Sequence, residues 1–210
     1  KAEGDFDHLI IAMSDPFLLT RTFHWLEAWN ERLCDGVWGR AVARLSERLR
    51  RAVDFDHWSA FGFSFAKMTE MLRRTGSGEF GEPPASIVML SGDVHHAYLA
   101  DVAFRRSDNV KSAVYQAVCS PFRNPLDEGE RRVIRASLTK PAEAIARALG
   151  RAAGVPDPDL RWRFSEGPFF DNQVGTLRLD GRRADLALEK TVPGETDQSS
   201  LRTSFRRRLA

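Results

Sequence analysis

The chain alternates between short continuous apolar runs and segments with apolar residues at helical spacings, which predicts a mixed α/β protein. The runs have the length of buried strands and end at turn or polar residues. The first four are His8–Met13, Ala85–Leu90, Tyr98–Phe104 and Ser112–Val118. Further on, an Asp-Gly pair at 180–181 separates the strand-like segments Val174–Leu179 and Ala184–Leu188, and this arrangement predicts a β-hairpin.

Apolar residues spaced three and four apart predict four helices. In the second of them, Val42, Leu45, Leu49 and Val53 alternate with arginines and glutamates, so we expect an amphipathic helix that stops near Asp54. The other three predicted helices have their apolar faces in Trp25–Leu33, Trp58–Leu72 and Ala142–Leu149. The face of Trp58–Leu72 is a stripe of aromatic residues, which we interpret as the core-facing side of the third helix.

The basic excess of the chain is small and lies at its C-terminal end. The net charge is +2, and residues 1–192 carry equal numbers of acidic and basic side chains. This balance argues against a nucleic-acid-binding protein, which needs a basic face. We therefore expect a folded region, 1–192, and a polar and basic tail, 193–210, that is solvated and disordered. A contact between this tail and phosphate or nucleic acid is the alternative.

Neither the apolar runs nor the cysteines indicate a membrane or a secreted scaffold. No apolar run approaches the ~18–20 residues that a membrane span requires, so we predict no span. Cys34 and Cys119 are too few for a disulfide scaffold, and neither stands in the Cys-x-x-Cys spacing of zinc sites. The missing disulfide spacing slightly favours the cytoplasm, and export is the alternative if a signal precedes Lys1. The sequence gives no indication of the oligomeric state.

The clearest chemical pattern is Asp93-Val94-His95-His96, which follows an apolar strand and Ser91-Gly92. Polar side chains at the carboxyl end of a strand occupy the edge where open α/β sheets place their sites. Carboxylate and neutral imidazole both bind metals such as Mn, Fe or Zn. Because alternate residues of an extended segment point the same way, we expect Asp93 and His95 to bind one cation or to bridge two. The alternative is an ordinary turn in which the aspartate accepts backbone hydrogen bonds.

Two residues of the proline-flanked loop Cys119–Leu126 are candidates for contact with a substrate phosphate. They are Arg123 and Asn124, and the planar guanidinium of an arginine matches the geometry of phosphate oxygens. The alternative for both is a rigid loop with a purely structural role.

The segment GDVHHAYLA (92–100), on a strand that reads SIVMLS, resembles the late metal-binding motif of the alkaline phosphatase D (PhoD-like) family. That family belongs to the calcineurin-like metallophosphoesterases. Four further stretches resemble it in the same order, so the likeness extends to about residue 190. They are HLIIAMSDPFLL (8–19), HWLEAWNE (24–31), VYQAVCSPFRNPL (114–126) and GPFFDNQVGTLRLDG (167–181).

The resemblance implies a two-layer β-sandwich flanked by helices that hydrolyses phosphomonoesters or phosphodiesters. Its cofactors would be Fe, Mn, Ca or Zn ions, and its partner a small phosphate ester. It implies that Asp93 and His95 are metal ligands and that His96 contacts the phosphate or supports the ligands. His24, in the second of the four stretches, becomes a catalytic candidate. An aromatic helix that half-buries this histidine is the alternative.

The sequence departs from the family pattern in the early motifs that supply most of the ligands. A Gly-Asp-x-x-Asp segment is missing, and the only other Gly-Asp pair, Gly4-Asp5, precedes the first strand. We therefore expect residues 1–192 to form the C-terminal portion of a PhoD-like domain, with weak metal affinity of its own. The alternative function is a non-catalytic fragment or interaction module on the same scaffold.

Overall fold

The computed structural model describes residues 6–123, 126–193 and 199–210, which form a mixed α/β structure with two β-sheets and five α-helices. This confirms the general fold class expected from the sequence. The strands are β1 (His8–Ala12), β2 (Ser86–Ser91), β3 (Ala97–Phe104), β4 (Ala113–Val118), β5 (Leu160–Phe169), β6 (Gln173–Asp180), β7 (Arg183–Pro193) and β8 (Ser199–Arg208). The helices are α1 (Arg21–Cys34), α2 (Arg40–Ala52), α3 (Gly62–Ser77), α4 (Glu128–Ser137) and α5 (Lys140–Ala152). None of these helices combines the length and the apolar character that crossing a membrane requires.

The chain forms two compact units, and neither of them is continuous in sequence. The sheet unit comprises residues 1–16, 70–128 and 160–210, and it holds both sheets. The helical unit comprises residues 17–69 and 129–159. We expected a single folded region from the sequence, because no stretch of linker composition marks the points where the chain passes from one unit to the other.

The larger sheet has five strands in the order β1-β2-β4-β3-β5. Strands β1, β2 and β4 run parallel, whereas β3 pairs antiparallel with both β4 and β5. Ile87, Val88 and Met89 in β2 are fully buried, as the continuous apolar run of a central parallel strand requires. Because three neighbouring strands run parallel, their carboxyl ends meet at one edge of the sheet.

The smaller sheet, β6-β7-β8, shares an apolar core with the larger one. The predicted hairpin is present, since β6 and β7 pair antiparallel around a turn at Gly181 with φ of 50°. The core combines Val88, Leu99 and Ala117 of the larger sheet with Ala184, Leu186 and Leu209 at the smaller one. The two sheets therefore contribute side chains to one apolar core.

The expectation of a solvated, disordered tail is wrong for residues 199–210. Strand β8 pairs antiparallel with β7 from Asp185↔Arg208 to Pro193↔Ser199. Arg207 forms an ion pair with Asp101 at 3.0 Å and donates a hydrogen bond to the Ser165 hydroxyl at 2.6 Å. The arginines of this segment suggested a solvated tail. One of them, Arg207, instead binds Asp101 and Ser165 of the larger sheet.

In the helical unit, α1 packs closely on α5. Thr20 caps α1, because its hydroxyl accepts a hydrogen bond from the Phe23 amide at 3.4 Å. Trp25 is buried among Ala28, Ala146 and Val155. Close packing is possible because α5 has no side chain at Gly150, where a Cβ atom would lie 2.6 Å from the Trp25 ring.

The aromatic stripe predicted for a single helix is divided between two elements. Trp58 lies in a 3-10 turn, Trp58–Ala60, that precedes α3. Within α3, Phe65 and Leu72 are buried as expected. Phe61, however, is 51% exposed, so it does not belong to the core-facing side that the spacing predicted.

Candidate functional site

The candidate site is the edge at which β1, β2 and β4 end, which we call the carboxyl edge (residues 13–16, 92–96 and 119–123). Backbone hydrogen bonds continue across it beyond the strands. The Met13 amide donates to the Leu90 carbonyl at 3.0 Å, and the Gly92 amide donates to the Ser14 carbonyl at 3.1 Å. These bonds hold the loops after two parallel strands side by side, so the expected strand-end position of the Asp-Val-His-His motif is confirmed.

The backbone of the motif turns sharply instead of continuing as a strand. Asp93 has φ of 64° and His95 has φ of 54°, both in the left-handed region. The premise that alternate side chains of an extended segment point the same way is therefore wrong here. A non-glycine residue in this region costs about 1–2 kcal/mol. Two of them within three residues are typical of segments that a functional site constrains.

A hydrogen bond from the neighbouring loop holds one of these strained residues. The His95 amide donates to the Ser120 hydroxyl at 3.1 Å, which joins the loop after β2 to the loop after β4. The Asp93 side chain is exposed, and its carboxylate accepts no hydrogen bond from the described residues. The alternative of a turn stabilised by this carboxylate is therefore not what the structure shows, and the Asp93 oxygens are available to a ligand.

His96 is the one member of the motif that is buried. Its ring lies 5.3 Å from the Tyr98 ring and 6.0 Å from the Phe170 ring. Burial lowers the pKa of His96 to about 4, so the imidazole is neutral at pH 7. Because Nδ1 faces the Val94 carbonyl at 2.6 Å, Nδ1 carries the proton and Nε2 keeps its lone pair. A backbone carbonyl fixes metal-binding histidines in the same way.

Three buried polar atoms near the carboxyl edge find no hydrogen-bond partner among the described residues. They are Nε2 of His96, Oδ1 of Asn172 and Oε1 of Gln173. The start of β6 reaches this edge, because the Gln173 amide donates to the Pro121 carbonyl at 3.2 Å. Buried polar atoms without a partner are rare, and they indicate where a water molecule or ligand binds. The sequence pattern did not reveal Gln173, since only its place at the start of a strand sets it apart.

The donor types at the carboxyl edge suit a divalent cation, although their number is small. They are the Asp93 carboxylate, the His95 imidazole and Nε2 of His96. Within residues 6–123, 126–193 and 199–210, no group of three or more His, Cys, Asp or Glu side chains is arranged to hold a metal ion. A complete site needs at least three protein donors. The residues therefore match a cation in kind but do not by themselves complete its coordination.

The two predicted phosphate contacts, Arg123 and Asn124, follow β4 in the sequence. Arg123 is exposed, and its guanidinium pairs with no carboxylate among the described residues. Asn124 lies outside the described residues. Arg123 thus belongs to the same edge as Asp93 and His95 and has its five N–H donors available for an anion.

His24 lies in the helical unit, where it is buried and hydrogen-bonded. Its Nδ1 is 2.9 Å from the Ser59 hydroxyl, and its ring is 4.8 Å from the Phe65 ring. Burial, with a smaller effect from Arg21, lowers the pKa of His24 to about 4. As the alternative to a catalytic role, we expected His24 to be half-buried in an aromatic helix. The side chain is more deeply buried than that.

Next to His24, a cavity of about 440 Å³ lies within the helical unit. Its wall combines Ser59, Thr69 and Phe65 with the acidic residues Glu31 and Asp159. His24 itself lines this cavity, although its side chain is buried. The contacts of His24 with Ser59 and Phe65 place it in the helical unit.

The candidate site therefore consists of a carboxylate and a guanidinium that have no ionic or hydrogen-bond partner among the described residues, together with two histidines, after the ends of parallel strands. Comparison with known proteins adds no assignment to it: no family model, no curated protein and no solved structure matches the chain.

Proposed function

We propose that this chain takes part in metal-dependent hydrolysis of phosphomonoesters or phosphodiesters, as its resemblance to PhoD-like metallophosphoesterases implies. The observation that carries the proposal is the strained loop after β2. It holds Asp93 and His95 in left-handed conformations and presents an unpartnered nitrogen of His96 at the same edge. Strain of this kind persists only where the surrounding structure imposes it.

The charges at the carboxyl edge agree with a phosphate ester as the ligand. Arg123 offers a planar set of donors that matches phosphate oxygens. The Asp93 carboxylate would repel a phosphate in the absence of a cation, so the two residues together favour a site where a cation and an anion bind side by side. A divalent cation held there would neutralise charge on the phosphate ester.

Each residue has a separate task in this proposal. Asp93 and His95 donate to the cation, and the Ser120 hydroxyl keeps the His95 backbone in place through its 3.1 Å hydrogen bond. His96 presents Nε2 in a fixed tautomer, because the Val94 carbonyl binds Nδ1. Arg123 orients the phosphate. The alternative, an interaction module that keeps this scaffold without hydrolysis, predicts the same fold but neither cation binding nor turnover.

The test is hydrolysis of p-nitrophenyl phosphate and bis(p-nitrophenyl) phosphate by the chain in the presence of Mn, Fe, Zn or Ca. We expect Asp93→Asn and His95→Asn each to lower kcat/KM by at least ~100-fold, since each removes a donor to the cation. Asparagine is chosen because it tolerates left-handed φ better than alanine does. The substitutions therefore change the donor and keep the backbone conformation.

Asp54→Asn is the matched control, because Asp54 is also an exposed aspartate with positive φ, 49°, but lies in the helical unit. It should leave turnover unchanged. Cation binding is measured separately, through the broadening of the His96 ring signals by Mn²⁺ in NMR spectra. Turnover that survives both motif substitutions contradicts the proposed roles. Absence of both turnover and broadening supports the interaction module.

A further inference from the structure

Helix α2 turns an apolar row toward solvent. Leu45 is 67% exposed, Leu49 is 39% exposed and Val53, directly after the helix, is 47% exposed. Residues four apart lie above one another on a helix, so the three side chains form one continuous row. The amphipathic pattern predicted the helix correctly, but its apolar row does not enter the core.

The position of α2 is fixed by another side of the helix. Ser46 is buried against α1, where the Asn30 side-chain amide donates to its hydroxyl at 2.7 Å and to its carbonyl at 3.1 Å. The contact with α1 therefore uses a small polar residue. The exposed apolar row is a surface of a helix that is held in place by hydrogen bonds.

A row of arginines follows the apolar row along the same helix. Arg40, Arg44 and Arg48 are exposed, and they have no carboxylate partner among the described residues. Arg44 and Arg48 immediately precede Leu45 and Leu49, so the two rows are turned by about 100° from each other. The only acidic residue of α2, Glu47, is already paired with Arg50 and Arg51, each at 2.8 Å.

We infer that α2 binds an anionic lipid surface, an interaction independent of the activity proposed above. A helix with an exposed apolar row beside a cationic row lies flat in the membrane interface, with the apolar side chains between the lipids. The long arginine side chains then reach the anionic headgroups. Charge complementarity selects this partner, since an apolar protein groove would leave the unpaired arginines without acceptors.

Trp38 is a further exposed aromatic residue, just before the start of the helix. It is 44% exposed, next to Val37, which is 45% exposed, and Gly39 separates both from α2. The indole of tryptophan prefers the membrane–water interface because its body is apolar and its N–H is polar. We therefore include residues 37–53 in the proposed contact with lipid.

The experiment is flotation of the chain with vesicles of phosphatidylcholine alone and of two parts phosphatidylcholine to one part phosphatidylglycerol. We expect binding to the anionic vesicles to be at least ~10-fold stronger, and to weaken steeply in 1 M NaCl, where the screening length falls to about 3 Å. Leu45→Ser and Arg44→Glu should each reduce binding by about tenfold, because both rows contribute.

Matched controls come from the other helices of the same unit. Ile145→Ser in α5 replaces an apolar side chain that is 65% exposed, and Arg132→Glu in α4 reverses an exposed arginine. Both should leave binding unchanged. Equal binding to neutral and anionic vesicles, or equal losses in the control variants, overturns the inference. The inference is also overturned if Leu45→Ser leaves vesicle binding unchanged but lowers the molecular mass of the protein in solution. The apolar row would then hold copies of the chain together.

Discussion

At the scale of single residues, burial of the histidine His24 makes the stability of the fold sensitive to acid. The pKa of His24 is about 4 in the folded chain, against the ordinary value of 6.5, because burial disfavours the charged imidazole. The unfolded chain therefore takes up a proton between these two values, whereas the folded chain does not. The contribution of His24 to the free energy of unfolding is therefore fully present above pH 6.5 and is lost as the pH falls toward 4.

We expect His24→Gln to remove this part of the acid sensitivity. For a shift of this size, the wild-type chain loses about 2 kcal/mol relative to the variant between pH 7 and pH 5, and about 3 kcal/mol at pH 4. Urea unfolding of both proteins at these pH values measures the difference, and effects of other groups cancel. Ser59→Ala is the control, because it removes the hydrogen bond but keeps the buried histidine, so the acid loss should persist. A parallel pH dependence of variant and wild type contradicts the prediction.

The sequence indicated where the chemistry of the motif would lie, but not its conformation. The position of Asp93 and His95 at the end of a strand could be predicted, because this prediction depends only on an apolar run followed by polar residues. The left-handed conformation of His95 is held by the Ser120 hydroxyl, which lies in a loop that is distant in sequence. The orphaned Nε2 of His96 depends on burial by Tyr98 and Phe170. The contacts with Ser120 and Phe170 join segments that are distant in sequence, so no local pattern contains them.

At the scale of elements, the packing of α1 on α5 depends on the missing side chain of Gly150. Alanine at this position favours a helix by about 1 kcal/mol over glycine. Its Cβ, however, would lie 2.6 Å from the Trp25 ring, and overpacking of this kind costs about 1–3 kcal/mol. The clash therefore decides the sign of the effect.

We expect Gly150→Ala to lower the free energy of unfolding by about 1–2 kcal/mol, measured by chemical denaturation. Ala148→Ser, at an exposed position of the same helix, should change it by less than about 0.5 kcal/mol. Stabilisation by Gly150→Ala would mean that helix propensity outweighs the contact and that Trp25 does not pack against this turn.

Besides β8, two elements escaped the sequence analysis for different physical reasons. Strand β5 does alternate, with Leu160 and Trp162 buried and Arg161 and Arg163 exposed, but the alternation is short and fades before Gly167. Helix α4 offers no apolar row at all, since only Ile134 and Ser137 are buried. Periodicity predicts an element only when burial is repeated along it.

At the scale of the whole molecule, the division into two units is invisible in the sequence because each unit is assembled from separated segments. The helical unit consists of residues 17–69 and 129–159, and one of its boundaries falls inside α3, between Thr69 and Glu70. A continuous helix has no linker composition. Domain boundaries can be predicted from composition only where an irregular segment separates the domains.

The C-terminal strand closes the smaller sheet, and this gives the last prediction. Leu209 is 3% exposed in the core shared by the two sheets, and its carbonyl accepts a hydrogen bond from the Tyr115 hydroxyl at 3.1 Å. We expect Leu209→Ala to lower the free energy of unfolding by about 2–4 kcal/mol, the usual cost of a cavity in a core. Leu201→Ala is the matched control at the other end of β8, where the side chain is 54% exposed, and it should cost less than about 1 kcal/mol. Chemical denaturation of both variants measures the contrast. If both substitutions leave the free energy of unfolding unchanged, residues 199–210 form a solvated tail after all, because a leucine that is not buried contributes nothing to this free energy.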